Sequence, residues 1–342
     1  MSGNRYRFSV HPFTQPLRFV KTSLVTGGAG FIGSCLTERL LQRGDHVIVV
    51  DDLSTGRADN LATVRNHDRF EFVSGTIEDP ELTARLVDRA DEVYHLAAAV
   101  GVALIAAQPI RTIERNIYPT QLILDRLGMR VAHGEPVRCF IASTSEVYGK
   151  NPKPIWNEED DLVFGATTKC RWSYGASKAI DEFLALAFYR QHKLPVVIGR
   201  FFNVVGPRQT GAYGMVLPRF VDAARNGMPL IVHDDGRQER CFAHVDDVVG
   251  AVIKLVATES AHGQVFNIGS DQPVSILELA ERVRQRVNPA APIQFQSYAD
   301  AYDATFEDIR RRVPDLTRIR QTIGYQATYS LDQIIDSVAA QS

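Results

Sequence analysis

The sequence predicts an α/β protein built on a doubly wound parallel sheet, with a smaller C-terminal α/β subdomain. Three observations predict it. Short, almost wholly apolar runs such as "HVIVV" have the composition of strands buried on both faces. These runs alternate with stretches of helical length, and such alternation implies parallel crossover connections. A glycine-rich turn, "TGGAGFIG", joins the first strand to the first helix.

The elements follow in order. "TSLVT" (Thr22 to Thr26) is a strand, and Phe31 to Arg43 a helix that Gly44 ends. "HVIVVDD", "FEFVSG" and "EVYHLAA" are strands, the last two separated by a helix from Pro80 to Arg89. A longer helix is expected from Ala103 to Leu127, bent at Pro119 because proline lacks the N–H of the helical ladder. "RCFIAS" is the next strand. An irregular, Pro-rich segment (Asn151 to Thr168), a helix from Tyr174 to Gln191 and the strand "PVVIGRFFN" follow. Beyond Gly206 the pattern loosens into short strands and helices, one opening on an expected capping box of Ser275 and Glu278. The expected division is a disordered tail over 1–20, the sheet mainly in 21–200, and the smaller subdomain mainly in 201–342, with the chain crossing between them.

Composition narrows the partners. The chain is 45% hydrophobic and 23% charged with a formal net charge of −2, and basic residues do not interleave with aromatics in runs, which argues against nucleic acid. No stretch has the length and apolarity of a membrane span, so no membrane partner is expected. Arg5, Arg7 and Arg18 punctuate the first twenty residues, which hold no continuous apolar core of a secretory signal. Cys35, Cys139, Cys170 and Cys241 lie far apart, without zinc or redox spacing. They read as reduced thiols of a cytoplasmic protein, and no metal site is expected.

The glycine turn carries the first chemistry. Gly27 allows the tight turn, Gly30 the approach of a pyrophosphate, and Gly33 close helix–sheet packing, with Phe31 and Ile32 between them. The helix N-terminus behind them faces the anion. Asp51 ends the next strand, where a carboxylate accepts from ribose hydroxyls. That carboxylate repels a 2′-phosphate, so the cofactor expected is NAD rather than NADP. Arg57 weakens the preference slightly, and Asp52 is either a second contact or a solvated neighbour.

The second chemistry lies where "CFIASTSEVYG" runs out of its strand, at Thr144, Ser145 and Glu146. Carboxyl ends of strands in an open sheet are where ligands bind. "YGASK" places Tyr174 and Lys178 four apart, on one helical face. A lysine ammonium beside the phenol is expected to lower its pKa, fitting it to take a proton from a sugar hydroxyl as hydride leaves the same carbon.

With these motifs together, the chain resembles the extended short-chain dehydrogenases/reductases, the Rossmann-fold class of nucleotide-sugar epimerases, dehydratases and decarboxylases. The resemblance runs from about Ser23 to Asp336, on "TGGAGFIG", "VVDDLSTG", "YHLAA", "STSEVYG", "YGASK", "RFFNVVGPR" and "RCFAHVDD". It implies an oxidation triad of Thr144, Tyr174 and Lys178, and NAD contacts at Leu96, Ala97 and Ala98. It implies substrate diphosphate contacts at Asn203, Arg208 and Arg240, and a homodimer formed through the helices at 103–127 and 174–191. Two residues depart from the family's habit: Thr76, where Asp is frequent, and Pro119, where Gly is frequent.

The resemblance also implies a shared first step, oxidation of the sugar at carbon 4. Glu146 then points to proton handling at carbon 5, as in dehydratases and uronate decarboxylases, unless it merely forms a salt bridge elsewhere. "FGATTKCRWSYGASK" and "RQERCFAHVDD" resemble the decarboxylase domain of the bacterial enzyme that makes the aminoarabinose precursor for lipid A, and also UDP-apiose/xylose synthases, with UDP-glucuronate decarboxylases the nearest resemblance as a whole; "RRRVPDL" offers Arg312 to a sugar carboxylate. The expectation is decarboxylation of a UDP-linked uronate. UDP-hexose or UDP-uronate 4-epimerisation comes next, then 4,6-dehydration. Outside catalysis stands an NAD-sensing binding protein, which usually lacks the Tyr or the Lys. His95 and His244 read as structural, and Trp172 as pocket wall or filler.

Overall fold

The computed structural model describes residues 20–99, 109–211, 215–297 and 309–340. The expected tail (1–20, but for Val20), the start of the helix expected from Ala103, and part of the loop 209–216 lie outside the described residues.

Seven parallel strands form the central sheet: β1 (Thr22–Thr26), β2 (His46–Asp51), β3 (Phe70–Ser74), β4 (Glu92–His95), β5 (Arg138–Thr144), β6 (Val196–Phe201) and β11 (Gln264–Ile268). Their order across the sheet is β11-β6-β5-β4-β1-β2-β3, all in parallel register. The order reverses between β1 and β4, and the loops leaving their carboxyl ends part there into a crevice. The helices α1 (Phe31–Arg43), α2 (Pro80–Asp88), α3 (Pro109–Ala132), α4 (Ser173–His192) and α6 (Val245–Ala257) flank this sheet. β1, β2 and β6 are buried almost throughout, as their unbroken apolar runs require.

Local signals explain the ends. Gly44 closes α1 at φ 102°, a left-handed conformation open to glycine at little cost. Asp79 caps α2, accepting from the amides of Glu81 and Leu82 at 2.9 and 3.2 Å, with Pro80 in the first turn. α3 runs through the buried Pro119 without a break. Half of the expected capping box forms: Ser275 accepts from the Glu278 amide at 3.1 Å, while the Glu278 carboxylate turns to Arg282. The complete box is at Ser330 and Gln333.

A second, smaller core packs over the carboxyl edge of the sheet. It gathers Leu217, Phe220 and Val221 of α5 (Val216–Arg225), Leu230 and Val232 of β8 (Leu230–His233), Leu279 and Val283 of α7 (Ile276–Val287) and Ile334 and Ile335 of α9 (Leu331–Ala339). Short ladders accompany it. β7 (Val204–Val205) pairs with β10 (Ala243–His244), β13 (Ile293–Gln296) with β8, and β9 (Glu239–Cys241) lies between β12 (Pro273–Ser275) and β14 (Arg311–Arg312). The helix α8 (Thr317–Ile323) packs beside β11. The chain crosses between the two cores, since β11 and α6 return to the central sheet after β8 to β10 have been laid down. All four cysteines are free.

Candidate active site

A cleft of about 590 Å³ runs between the two cores. Every site residue expected from the sequence lines it, from Gly27 and Asp51 at one end, past Thr144, Ser145, Glu146, Tyr174 and Lys178, to Asn203, Arg208, Arg240 and Arg312.

At the cofactor end the backbone itself is the binding surface. Gly27, at φ 70°, donates to the Val50 carbonyl at 2.9 Å and turns β1 into α1. A Cβ on Gly33 would stand 2.3 Å from the Gly27 carbonyl oxygen, and one on Gly27 2.9 Å from the Ala97 backbone. Both places therefore exclude any side chain. Asp51 accepts from the amides of Ala29 (2.9 Å) and Leu53 (2.8 Å), so the same carboxylate ties the glycine turn to the loop after β2. Burial raises its pKa against those two hydrogen bonds. Asp52 is more exposed, and although burial opposes it, hydrogen bonds from Ser54 and the charge of Arg115 hold its pKa down. Leu96, Ala97 and Ala98 form the facing wall after β4. A glycine cradle closed to side chains, beside a carboxylate and a helix N-terminus, fits a dinucleotide.

His95 is structural. Its ring bridges two buried hydroxyls, Nδ1 standing 2.8 Å from Thr26 Oγ1 and Nε2 3.0 Å from Thr120 Oγ1. Burial, with the Lys178 cation adding to it, lowers the imidazole pKa to about 3. His244 caps α6 through its Nδ1 and stacks on Tyr329 at 3.9 Å. Trp172 is buried behind the cleft wall, with Arg171 lying over its ring.

The catalytic candidates meet at the end of β5. Thr144 caps the 3-10 turn Ser145–Tyr148, accepting from the Glu146 amide at 3.2 Å, and its side chain also meets the Tyr174 hydroxyl. Tyr174 and Lys178 stand one turn apart on α4, as their spacing predicts. The expected lowering of the phenol pKa is not found. Burial and then the Glu146 carboxylate push Tyr174 up, and Lys178 spends its charge on Asp181, 2.7 Å away.

Glu146 lies between two guanidinium groups. Arg171 reaches it at 2.6 Å and Arg312 closes on its other oxygen. Burial favours the protonated acid, but the two cations overcome this and lower the pKa to about 2. Arg171 and Asp181 are the residues that sequence reading missed. Arg171 falls three before Tyr174 inside the quoted "CRWSYGASK", and its place next to the irregular segment gave no direction for its side chain. Thr76 and Pro119, the two departures, both line the cofactor end of the cleft.

At the far end Asn203 donates to the Cys241 carbonyl at 2.9 Å, and Arg208 pairs with Glu38 of α1. Arg240 lies opposite Arg312 in the β9/β14 register. Among the described residues no cluster of His, Cys, Asp and Glu could hold a metal ion.

Comparison with known proteins matches residues 24–338 to the GDP-mannose 4,6 dehydratase family. The chain belongs to this family. It is 38% identical over 314 residues to the UDP-N-acetyl-alpha-D-glucosaminuronate decarboxylase of Bacillus cytotoxicus, covering 92% of this chain and 95% of that one. It is 34% identical over 318 residues to UDP-glucuronic acid decarboxylase 4 of Arabidopsis thaliana, covering 92% and 67%. The UDP-glucuronic acid 4-epimerase of Bacillus cereus, solved in complex with NAD, superposes with a TM-score of 0.79 at 27% identity, covering 92% and 96%. The family member described here is an NAD-dependent enzyme of nucleotide-sugar chemistry, with the extended short-chain dehydrogenase/reductase fold.

Proposed function

We propose that the protein decarboxylates a UDP-linked uronate by way of a 4-keto sugar. The observation that carries this reading is the pair of guanidinium groups, Arg171 and Arg312, on the single carboxylate of Glu146. Two guanidinium groups converging on one carboxylate in a largely buried site form a donor array that also suits a carboxylate on the ligand. A neutral hexose brings none.

The chemistry follows from the placement. Tyr174, beside Thr144, takes the proton of the 4-hydroxyl, and Thr144 orients that hydroxyl. NAD, which the glycine turn (Gly27, Gly30, Gly33) and Asp51 would hold, would supply the acceptor for the hydride of carbon 4 and return it at the end. The ketone makes the uronate a β-keto acid. Its bond from carbon 5 to carbon 6 breaks with loss of carbon dioxide, and the electron pair moves into the carbonyl as an enolate. Carbon 5 is then protonated, and Tyr174 gives its proton back to the oxygen of carbon 4 as the alcohol is restored. Glu146 is the group positioned for the carbon 5 proton. A uronate carboxylate that shares the two guanidinium groups weakens their hold on Glu146. In a buried place this raises its proton affinity toward the value that proton delivery needs.

Two accompanying readings have their own support. A homodimer through α3 and α4 is supported by Ile110 (72% exposed), Tyr118, Ile180 and Phe183 (69% exposed), large apolar side chains on helices that otherwise pack together. A cytoplasmic location is supported by four unpaired cysteines.

The test is a mass spectrum of the product after incubation with NAD and UDP-glucuronate, repeated with the 2-acetamido uronate. Loss of carbon dioxide is expected. An isomer of unchanged mass would replace this reading with 4-epimerisation. Reaction with neutral nucleotide hexoses alone would replace it with dehydration or hexose epimerisation.

A further inference from the structure

Behind the cleft wall lies a charge that the chemistry above does not use. Asp181 is 0% exposed and does not reach the cleft, yet its Oδ2 accepts from Lys178 Nζ at 2.7 Å. Its other oxygen, Oδ1, has no hydrogen-bond partner among the described residues. Thr120 of α3 stands beside the carboxylate, its hydroxyl shared between Asp181 and the Asn116 carbonyl. A buried carboxylate held by one lysine and a shared hydroxyl is costly, and its retention calls for a reason.

The surroundings isolate the pair. His95, facing it from β4, is neutral in its chain of threonine hydrogen bonds. Glu182, the next residue on α4, is held by Arg200 of β6 and Ser143 of β5. Glu146, in the turn after β5, is taken by Arg171 and Arg312. Among the described residues, Tyr174, one turn earlier on α4, is the cleft-lining titratable group that shares the helical face of Lys178. Each neighbouring charge thus has its own counter-charge, and Asp181 is the one assigned to the lysine.

We propose that Asp181 is a positioning residue for the oxidation step: it anchors Lys178 at its place beside Tyr174 and cancels part of the lysine's field there. The inference rests on reading Tyr174 as the proton acceptor. A lysine facing the phenol alone would favour phenolate at all times. A lysine paired with a buried carboxylate leaves the phenol protonated until other positive charge arrives in the cleft. The direction of the Asp181 effect on Tyr174, which is upward behind burial and Glu146, agrees.

The experiment is a pH titration of the phenolate absorption band in the NAD-bound protein. The share of Tyr174 is isolated by subtracting the matching Tyr174→Phe protein. Asp181→Asn keeps an acceptor for Lys178 and removes the charge. Its midpoint should fall by about one pH unit or more relative to wild type. Asp181→Glu, which restores the charge, should return the midpoint towards the wild-type value. If Asp181→Asn does not fold, Asp181→Ser, with room for a water, carries the same expectation. A midpoint that stays or rises, with Tyr174→Phe inactive, overturns the role of Asp181 alone. Full turnover by Tyr174→Phe overturns the reading beneath it as well.

Discussion

Arg312, on the two-residue strand β14, closes an ion pair on Glu146, in the turn that follows β5 of the central sheet. The contact joins the two cores across the cleft. Replacing Arg312 by Met leaves Glu146 with Arg171 alone and removes half of the proposed carboxylate clamp. Turnover of the uronate, as kcat/KM, should fall by about a hundredfold or more, while NAD affinity stays within a factor of a few. Arg312→Lys should recover only part, because an ammonium lacks the two-pronged geometry. Steady-state kinetics beside an NAD titration checks both statements.

Tyr174→Phe keeps the ring in its half-buried place and removes the acceptor of the hydroxyl proton. Turnover should fall by roughly a thousandfold, within the range for loss of a general base, with NAD still bound. Retention of turnover would sink the assignment of Tyr174.

Acid should erode the stability that the clamp contributes. The Glu146 pKa stands at about 2 in the folded protein against an ordinary 4.5. A depressed folded-state pKa means stability that is present above the unfolded value and lost as pH falls through the folded one. Glu146→Gln lacks this term and leaves two guanidinium groups without their carboxylate. Thermal unfolding should show the wild type ahead of Glu146→Gln at about pH 6, with the gap narrowing toward about pH 3. A gap that widens in acid would contradict the ion-pair account.

Phe183 is 69% exposed on α4, near Ile180 and the exposed side chains of α3. Phe183→Glu places a charge where the proposed dimer packs apolar surface. Light scattering should show a dimer in the wild type and a monomer in the variant, with the NAD affinity of the variant unchanged. A wild type that is already monomeric would remove the dimer reading.

Much of this site was legible in the chain, because its motifs are local. Gly27, Gly30 and Gly33 serve one turn, Asp51 ends the next strand, and Tyr174 and Lys178 share one helical face. What was not legible depends on side chains meeting across the fold. The three arginines of "RRRVPDL" look alike in sequence. In the structure Arg310 pairs with Asp235 and Arg311 with Glu239, their side chains 68% and 42% exposed, while that of Arg312 is 11% exposed and turned onto Glu146. Strand alternation separates Arg311 from Arg312, but a two-residue strand beside β9 leaves almost no periodic trace. The Tyr174 pKa was misjudged for a related reason. The spacing of Tyr174 and Lys178 is visible, whereas the depth of their burial and the turn of Lys178 toward Asp181 are not.

The β9/β14 ladder sets Arg312 directly beside Arg240, in parallel register, with both facing the cleft. Paired residues on neighbouring strands stand about 5 Å apart, a spacing that backbone hydrogen bonds hold rigid. On the proposed reading one arginine meets the diphosphate and the other the sugar carboxylate. The ladder then works as a gauge: it accepts a glycosyl unit whose two anionic ends match its fixed span, and it passes over one that is too short or lacks the second anion.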